Sequence, residues 1–419
     1  MFFCLSSYLL SFAVFLLTVR RIYTNTNTTL VSFGYTYFYL SFAGGVLNCF
    51  LFRWIMNADF FTSEFYQAFW LWNAGFFLFS LILYQTPKRF WSITITADTS
   101  ISGHFVVASF VFSFLIQMMA VMAFLKSGTI PILSREVEVA RSQMHQAGGL
   151  NQAFFLMVLV ILLNGMLCYL RRGWVCFLSA LIMTSSFIIL FMYGMRNYIL
   201  VSIFGLVFFY EIFTQAKVQI YKMLSLSFLA GVFLYIFGIM RGQLKNELDL
   251  ILISGRLFSG VFSEFREWPD IISQSAIEPS PFMFFNIISA VVPSSVFQIA
   301  GVDKTDVIFS SGIFYKEKLG RIFAGDNLGL RTSLYGDFYV MFGLYAFLLL
   351  PVFYYLLIRC FNYRLSKNIS TAPFYLLSLL TIFIGFSSEL STLLIKLYFL
   401  FGSMIFLLLF ANILERSTK

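Results

Sequence analysis

The chain predicts an all-α, polytopic integral membrane protein, and three observations support that class. Hydrophobic residues fill 60% of its 419 positions and charged ones only 11%, with 56 phenylalanines, proportions outside the range of soluble domains. The apolar residues gather into runs of about 17 to 25, the length a helix needs to cross the hydrocarbon core of a bilayer. The basic residues stand between those runs, on every second connection. The net charge of +9 is spread in twos and threes, so it lacks the single basic face of a nucleic-acid binder, and no nucleic-acid partner is expected.

About eleven runs meet the length criterion. In order they are residues 2–19, 30–52, 67–84, 104–125, 153–170, 174–192, 198–215, 223–240, 337–358, 373–388 and 392–412. The first has no basic residues before it and no small-residue cleavage pattern, and Arg20 and Arg21 follow it, so it reads as a retained helix rather than a signal peptide. Arg20/Arg21, Lys88/Arg89, Arg171/Arg172, Lys217/Lys222, Arg359/Arg364/Lys367 and Arg416/Lys419 occupy alternate connections, which the positive-inside rule assigns to the cytoplasm. That phase puts the N-terminus outside and the C-terminus inside. The opposite connections carry Asp59, Glu64, Glu136, Glu138 and Glu389.

The chain therefore divides into residues 1–240 with eight spans, a long external connection 241–335, and residues 336–419 with three spans. A connection of that length inside an economical helical protein is expected to be a functional element. Within it, "LDLILISGRLFSGVFSEFREW" places Leu250, Ile253, Leu257, Val261 and Phe265 three or four residues apart, the period of an amphipathic helix. A second stretch, "SPFMFFNIISAVVPSSVFQIAG", is apolar but interrupted by Pro293, Ser294 and Ser295. It reads as interfacial or re-entrant, because counting it as a span would invert the basic connections that follow. Cys4, Cys49, Cys168, Cys176 and Cys360 fall in or beside the spans, with no disulfide framework or zinc-ligand spacing. No metal is expected, since neither His104 nor His145 sits in a ligand-like cluster.

Ionisable groups in or at the edge of a membrane are costly and mark function. Arg196 lies in the short outer turn "YGMRNY", and Arg241 in "MRGQ" ends the run 223–240 on the same side. Arg256, Arg266, Arg321 and Arg331 lie in the long connection, Asp337 opens the run 337–358, and Glu389 sits in the outer turn "SSELS". Guanidinium groups hold phosphate oxygens through a planar fork of donors, and a carboxylate can take the proton of a sugar hydroxyl. The inventory suits a phosphorylated lipid reacting at the outer leaflet. Each residue also has a plainer reading. Asp337 could cap its helix, Arg196 and Arg241 could snorkel to lipid phosphates, and Arg256 and Glu264 could belong to the solvated face of their helix.

The topology, together with "MRNYILVSIF" and above all "RTSLYGDFYVMFGLYAF", resembles the Wzy-type O-antigen polymerases of bacterial inner membranes. The resemblance in topology covers the whole chain, and the sequence motif some twenty residues of it. It implies a multi-pass inner-membrane glycosyltransferase that extends polysaccharide in the periplasm, with an undecaprenyl-pyrophosphate-linked glycan as donor and another as acceptor. It implies membrane lipids around the protein and admits a chain-length regulator protein as a further partner. No nucleotide sugar or other cofactor is required, and neither a Walker nor a Rossmann glycine motif is present. Under this resemblance Asp337, Glu264 and Glu389 are the candidate catalytic carboxylates. Arg196, Arg241, Arg256 and Arg331, with Tyr335 and Tyr339 of the motif, are the candidate substrate contacts. An O-antigen ligase is disfavoured because it would place a catalytic histidine in the long connection. A flippase has little use for that connection, and a polyprenyl-phosphate-sugar transferase should carry a tight acidic pair where this chain has "NADFFTSEF".

Overall fold

The computed structural model describes residues 2–55, 62–91, 101–134, 152–194, 196–219, 333–384 and 390–418, with residues 93, 140, 150, 222, 225, 229, 232, 292 and 296 between them. The regular secondary structure among those residues is all helical, without a strand. In chain order the α-helices are α1 (Phe2–Asn25), α2 (Leu30–Ile55), α3 (Ser63–Gln85), α4 (Gly103–Ser127), α5 (Gln152–Leu170), α6 (Trp174–Tyr193), α7 (Arg196–Thr214), α8 (Ser333–Phe342), α9 (Ala346–Leu365), α10 (Ala372–Ile384) and α11 (Leu390–Ser417). Seven segments among the described residues are long and apolar enough to cross a membrane: α3, α4, α5, α6, residues 197–214 of α7, residues 336–365, and α11. The amphipathic helix from Leu250, the expected run 223–240 apart from residues 225, 229 and 232, and the interfacial stretch before Gly301 apart from 292 and 296 lie outside the described residues, as does most of connection 241–335.

The helices differ in their bounds from three of the expected runs. The first helix does not stop before Arg20 and Arg21 but runs on to Asn25. Its two arginines lie near the negative end of the dipole, and the Arg21 guanidinium sits 4.0 Å over the Tyr84 ring. The run 337–358 lies within the membrane-long segment 336–365. Its helix begins at Ser333 and breaks at a 3-10 turn, Gly343–Tyr345, where Gly343 adopts φ 56°, a left-handed conformation that costs glycine little. Of the run 373–388, the part through Ile384 is helical as α10, and residues 385–388 lie outside the described residues.

Local chemistry sets the helix ends. Thr62 and Ser102 accept the N–H groups of Phe65 and Phe105 at 3.3 and 3.1 Å, capping α3 and α4. Gly128 and Gly194 end α4 and α6 in the left-handed conformation, and the Gly128 N–H donates to Phe124 and Leu125 carbonyls.

Two helices form the centre. Ala153 to Asn164 of α5 are buried without interruption, and so is almost all of α10. A helix apolar all round has no face that requires water, and these two are wrapped by α2, α4, α6, α7, α9 and α11. α6 follows α5 across a three-residue turn and is equally apolar, yet it lies at the periphery. Trp174, Phe177, Leu181 and Ile188 form an exposed stripe at helical spacing, while Ser179, Ser186, Leu190 and Tyr193 face inward. Polar links tie the wrapping helices together. Gln117 donates to Ser185 at 2.7 Å and Ser186 at 3.0 Å, and Asn164 donates to Ser113 at 2.9 Å.

Candidate functional site

The basic connections meet at one end of the bundle. Lys217 Nζ lies 3.6 Å over the Tyr23 ring and donates to the Thr26 carbonyl at 3.0 Å. Asn27 donates to the Ile93 carbonyl at 2.6 Å and to Gln215 at 2.9 Å. Arg359 stacks 4.2 Å over Phe90, Arg171 donates to the Ile101 carbonyl, and Thr418 contacts His104 at 3.0 Å. The connections that alternate in sequence are thus neighbours in space, as helices that reverse direction at each turn require.

A buried acid anchors this end. Glu211, in the last turn of α7, is fully buried. Its Oε2 accepts the Thr29 N–H at 2.7 Å, its Oε1 accepts the Val218 N–H at 2.8 Å, and the Thr29 hydroxyl donates to it at 2.9 Å. The carboxylate therefore caps α2 from another helix and closes the end of its own. Burial pushes the Lys217 ammonium below the usual lysine range, while Glu211 pulls it back up and Lys88 pushes it down.

The opposite end holds the residues expected to act on substrate. Asp337 does not open its helix. It lies a full turn inside α8, is only 1% exposed, and its Oδ2 accepts the Leu390 N–H at 2.6 Å. The expected cap is thus a cap, but of α11 rather than of its own helix, since Leu390 is the first residue of α11 and its N–H has no intrahelical acceptor. Arg196 begins α7, and Tyr335 and Tyr339 lie in α8, with Tyr339 half-buried. Arg241, Arg256, Arg331, Glu264 and Glu389 lie outside the described residues.

Two ionisable residues that the sequence reading passed over belong in this account. Glu211 stands in "VFFYEIF" and Lys396 in "LLIKLYF", each the only charged residue of an apolar heptad, which is itself the signal for an intramembrane functional or structural group. Lys396, in α11, lies 5.7 Å over the Phe155 ring of α5, and Phe155 lies 6.0 Å from the ring of Tyr198, two residues after Arg196. Phe154 beside it stacks on Tyr193 at 3.8 Å, where α6 ends. The starts of α5, α7 and α11 therefore converge on one end, bringing Lys396, Tyr198 and the Arg196 position to one side of the bundle. Such an arrangement sets the Lys396 ammonium against aromatic rings at this end, where it can face an anion. Among the described residues there is no group of three or more His, Cys, Asp or Glu able to hold a metal. Set against known protein families, curated proteins and solved structures, the chain matches none of them.

Proposed function

We propose that the chain is a polysaccharide polymerase of the Wzy type, working at the periplasmic face of a bacterial inner membrane. The observation that carries this reading is Asp337: the acid of the stretch "RTSLYGDFYVMFGLYAF" is buried at the junction of α8 and α11, where ionisable side chains are costly and mark function. In the proposed step the acceptor hydroxyl oxygen bonds to the anomeric carbon of the donor glycan, and the bond from that carbon to the pyrophosphate oxygen breaks. The proton passes to a carboxylate, and undecaprenyl pyrophosphate leaves with the electron pair. No nucleotide is consumed, because the glycosyl pyrophosphate bond carries the driving force.

Arg196, Arg241, Arg256 and Arg331 would hold the two phosphates, and we add Lys396 to this set, since an ammonium placed near the start of α7 can offset charge on the leaving group. Tyr335 and Tyr339 would meet the sugar. One oxygen of Asp337 already accepts the Leu390 N–H, so this carboxylate divides its capacity between holding α11 and meeting substrate. Glu264 and Glu389 accordingly remain rival bases. A chain-length regulator would be an additional partner.

The test is to delete the gene in its host and examine surface polysaccharide on a gel. A polymerase deletion should retain single repeat units on the lipid and lose the ladder, whereas loss of both would point to a flippase or ligase. Restoring the gene with Asp337→Asn, Glu264→Gln or Glu389→Gln then identifies the base as the carboxylate whose amide leaves protein in the membrane and no ladder.

A further inference from the structure

At the end of the bundle that gathers the basic connections, a groove of about 490 Å³ opens between the last turns of α9 and the Lys88–Phe90 turn. Its walls combine three chemistries. Leu356 and Phe90 are apolar, Arg359 supplies a guanidinium 4.2 Å over the Phe90 ring, and Asn362 supplies an amide. Asn362 is 2% exposed and donates to the Phe90 carbonyl at 3.0 Å, but its Oδ1 is buried with no hydrogen-bond partner among the described residues. A buried acceptor left unpaired costs on the order of 1 to 3 kcal/mol, and because Asn362 lines the groove a donating ligand that reaches it would recover that cost. Lys367, 4.8 Å over the ring of Tyr363 in the same wall, adds a second cation at the rim.

The surface leading to the groove says how such a ligand is anchored. Leu348, Leu349, Val352 and Leu356 are all exposed and recur along one stripe of α9 that ends at Arg359 and Tyr363. An apolar stripe running into a cation, an orphan acceptor and an exposed tyrosine is the order of chemistries along a glycerophospholipid: acyl chain, phosphate, then a polar head. A snorkelling arginine alone would need neither the groove nor the empty Asn362 acceptor.

We propose that this groove binds one anionic glycerophospholipid whose head carries a hydroxyl donor. The phosphate meets Arg359, the head hydroxyl donates to Asn362 Oδ1, and an acyl chain lies along the Leu348–Leu356 stripe of α9. The site stands apart from Asp337 and does not depend on the proposed polymerase activity.

The test uses the full chain, delipidated in detergent and offered single lipids, with retained lipid counted by native mass spectrometry. The wild type should retain one phosphatidylglycerol. Arg359→Gln, an exposed change that leaves the fold intact, should weaken retention roughly tenfold or more, the loss expected for a charge-assisted bond to phosphate. Arg364→Gln, exposed on the same helix but outside the groove, should leave retention unchanged. Equal losses from both variants would overturn the site in favour of diffuse surface charge. Phosphatidylmethanol, of equal charge but without a head hydroxyl, should bind about fivefold more weakly, as a missing neutral hydrogen bond predicts. Equal retention of the two lipids would overturn the donor assigned to Asn362. Inorganic phosphate in large excess should leave the lipid bound, and displacement by it would make this a free-phosphate site instead.

Discussion

Asp337 and Glu211 each accept a backbone N–H at the start of a helix other than their own, one at either end of the bundle. Asn can still accept the Leu390 N–H, so Asp337→Asn should insert and unfold close to wild type, whereas Asp337→Ala orphans that donor and should cost about 1 to 3 kcal/mol. Polysaccharide gels separate the two roles: no ladder from the well-inserted Asn variant assigns proton transfer to Asp337, and a full ladder leaves it a cap. Glu211→Gln is expected to behave differently, because the carboxylate serves two backbone donors through two oxygens and an amide has one acceptor oxygen. One N–H is then orphaned, and the unfolding midpoint in detergent should fall by an amount equivalent to about 1 to 3 kcal/mol. An unchanged midpoint would remove Glu211 from the architecture. The sequence reading singled out Asp337 and passed over Glu211, and for neither was the N–H it would meet legible, since Asp337 and Leu390 are separated by 53 positions and Thr29 and Glu211 by 182.

Helices approach one another closely where glycine permits it. A Cβ on Gly34 of α2 would fall 2.3 Å from the Phe383 ring of α10, closer than non-bonded carbon atoms approach without one of them shifting. Gly34→Ala should therefore destabilise by about 1 to 3 kcal/mol, and adding Phe383→Leu should recover part of that loss. A double variant no better than Gly34→Ala alone would show that the two helices do not meet there. The converging starts of α5, α7 and α11 carry a second expectation. Arg196→Lys keeps charge but loses the planar fork, and Lys396→Met removes charge inside the membrane. Each should shorten or abolish the polysaccharide ladder at normal membrane abundance. Full ladders from both would reduce these residues to lipid contacts and packing. The sequence marked Arg196 through its short turn, yet Lys396 escaped notice because the surrounding run reads as an ordinary span. Its significance comes from Phe155 and Tyr198 on two other helices.

At the scale of the molecule, the basic connections share one end, and the positive-inside rule predicts that this end is cytoplasmic. Reporter fusions after Arg21 and Lys222 should read cytoplasmic, and fusions between Gln274 and Lys318 should read periplasmic. A periplasmic signal after Lys222 would reverse the orientation and move Asp337 to the wrong side for a periplasmic polymerase. The packing that supports one common end consists of specific pairs, among them Lys217 with Tyr23, Arg359 with Phe90, and Thr418 with His104.

The sequence by itself determined the environment and the helical class, because bilayer thickness and the need to satisfy every backbone polar group leave an apolar run of sufficient length little choice but helix. It also determined which connections share an end, through the alternation of arginine and lysine. Only the tertiary structure decided which helices are enclosed. α5 and α6 are comparably apolar neighbours, but Ala153 to Asn164 are buried while Trp174, Phe177 and Leu181 face outward. In a membrane lipid is as apolar as a protein interior, so hydrophobicity cannot choose between them. Shape and sparse polar bonds choose instead: Gly34 against Phe383, Asn164 to Ser113, Gln117 to Ser185, and Asp337 reaching from α8 to the first N–H of α11.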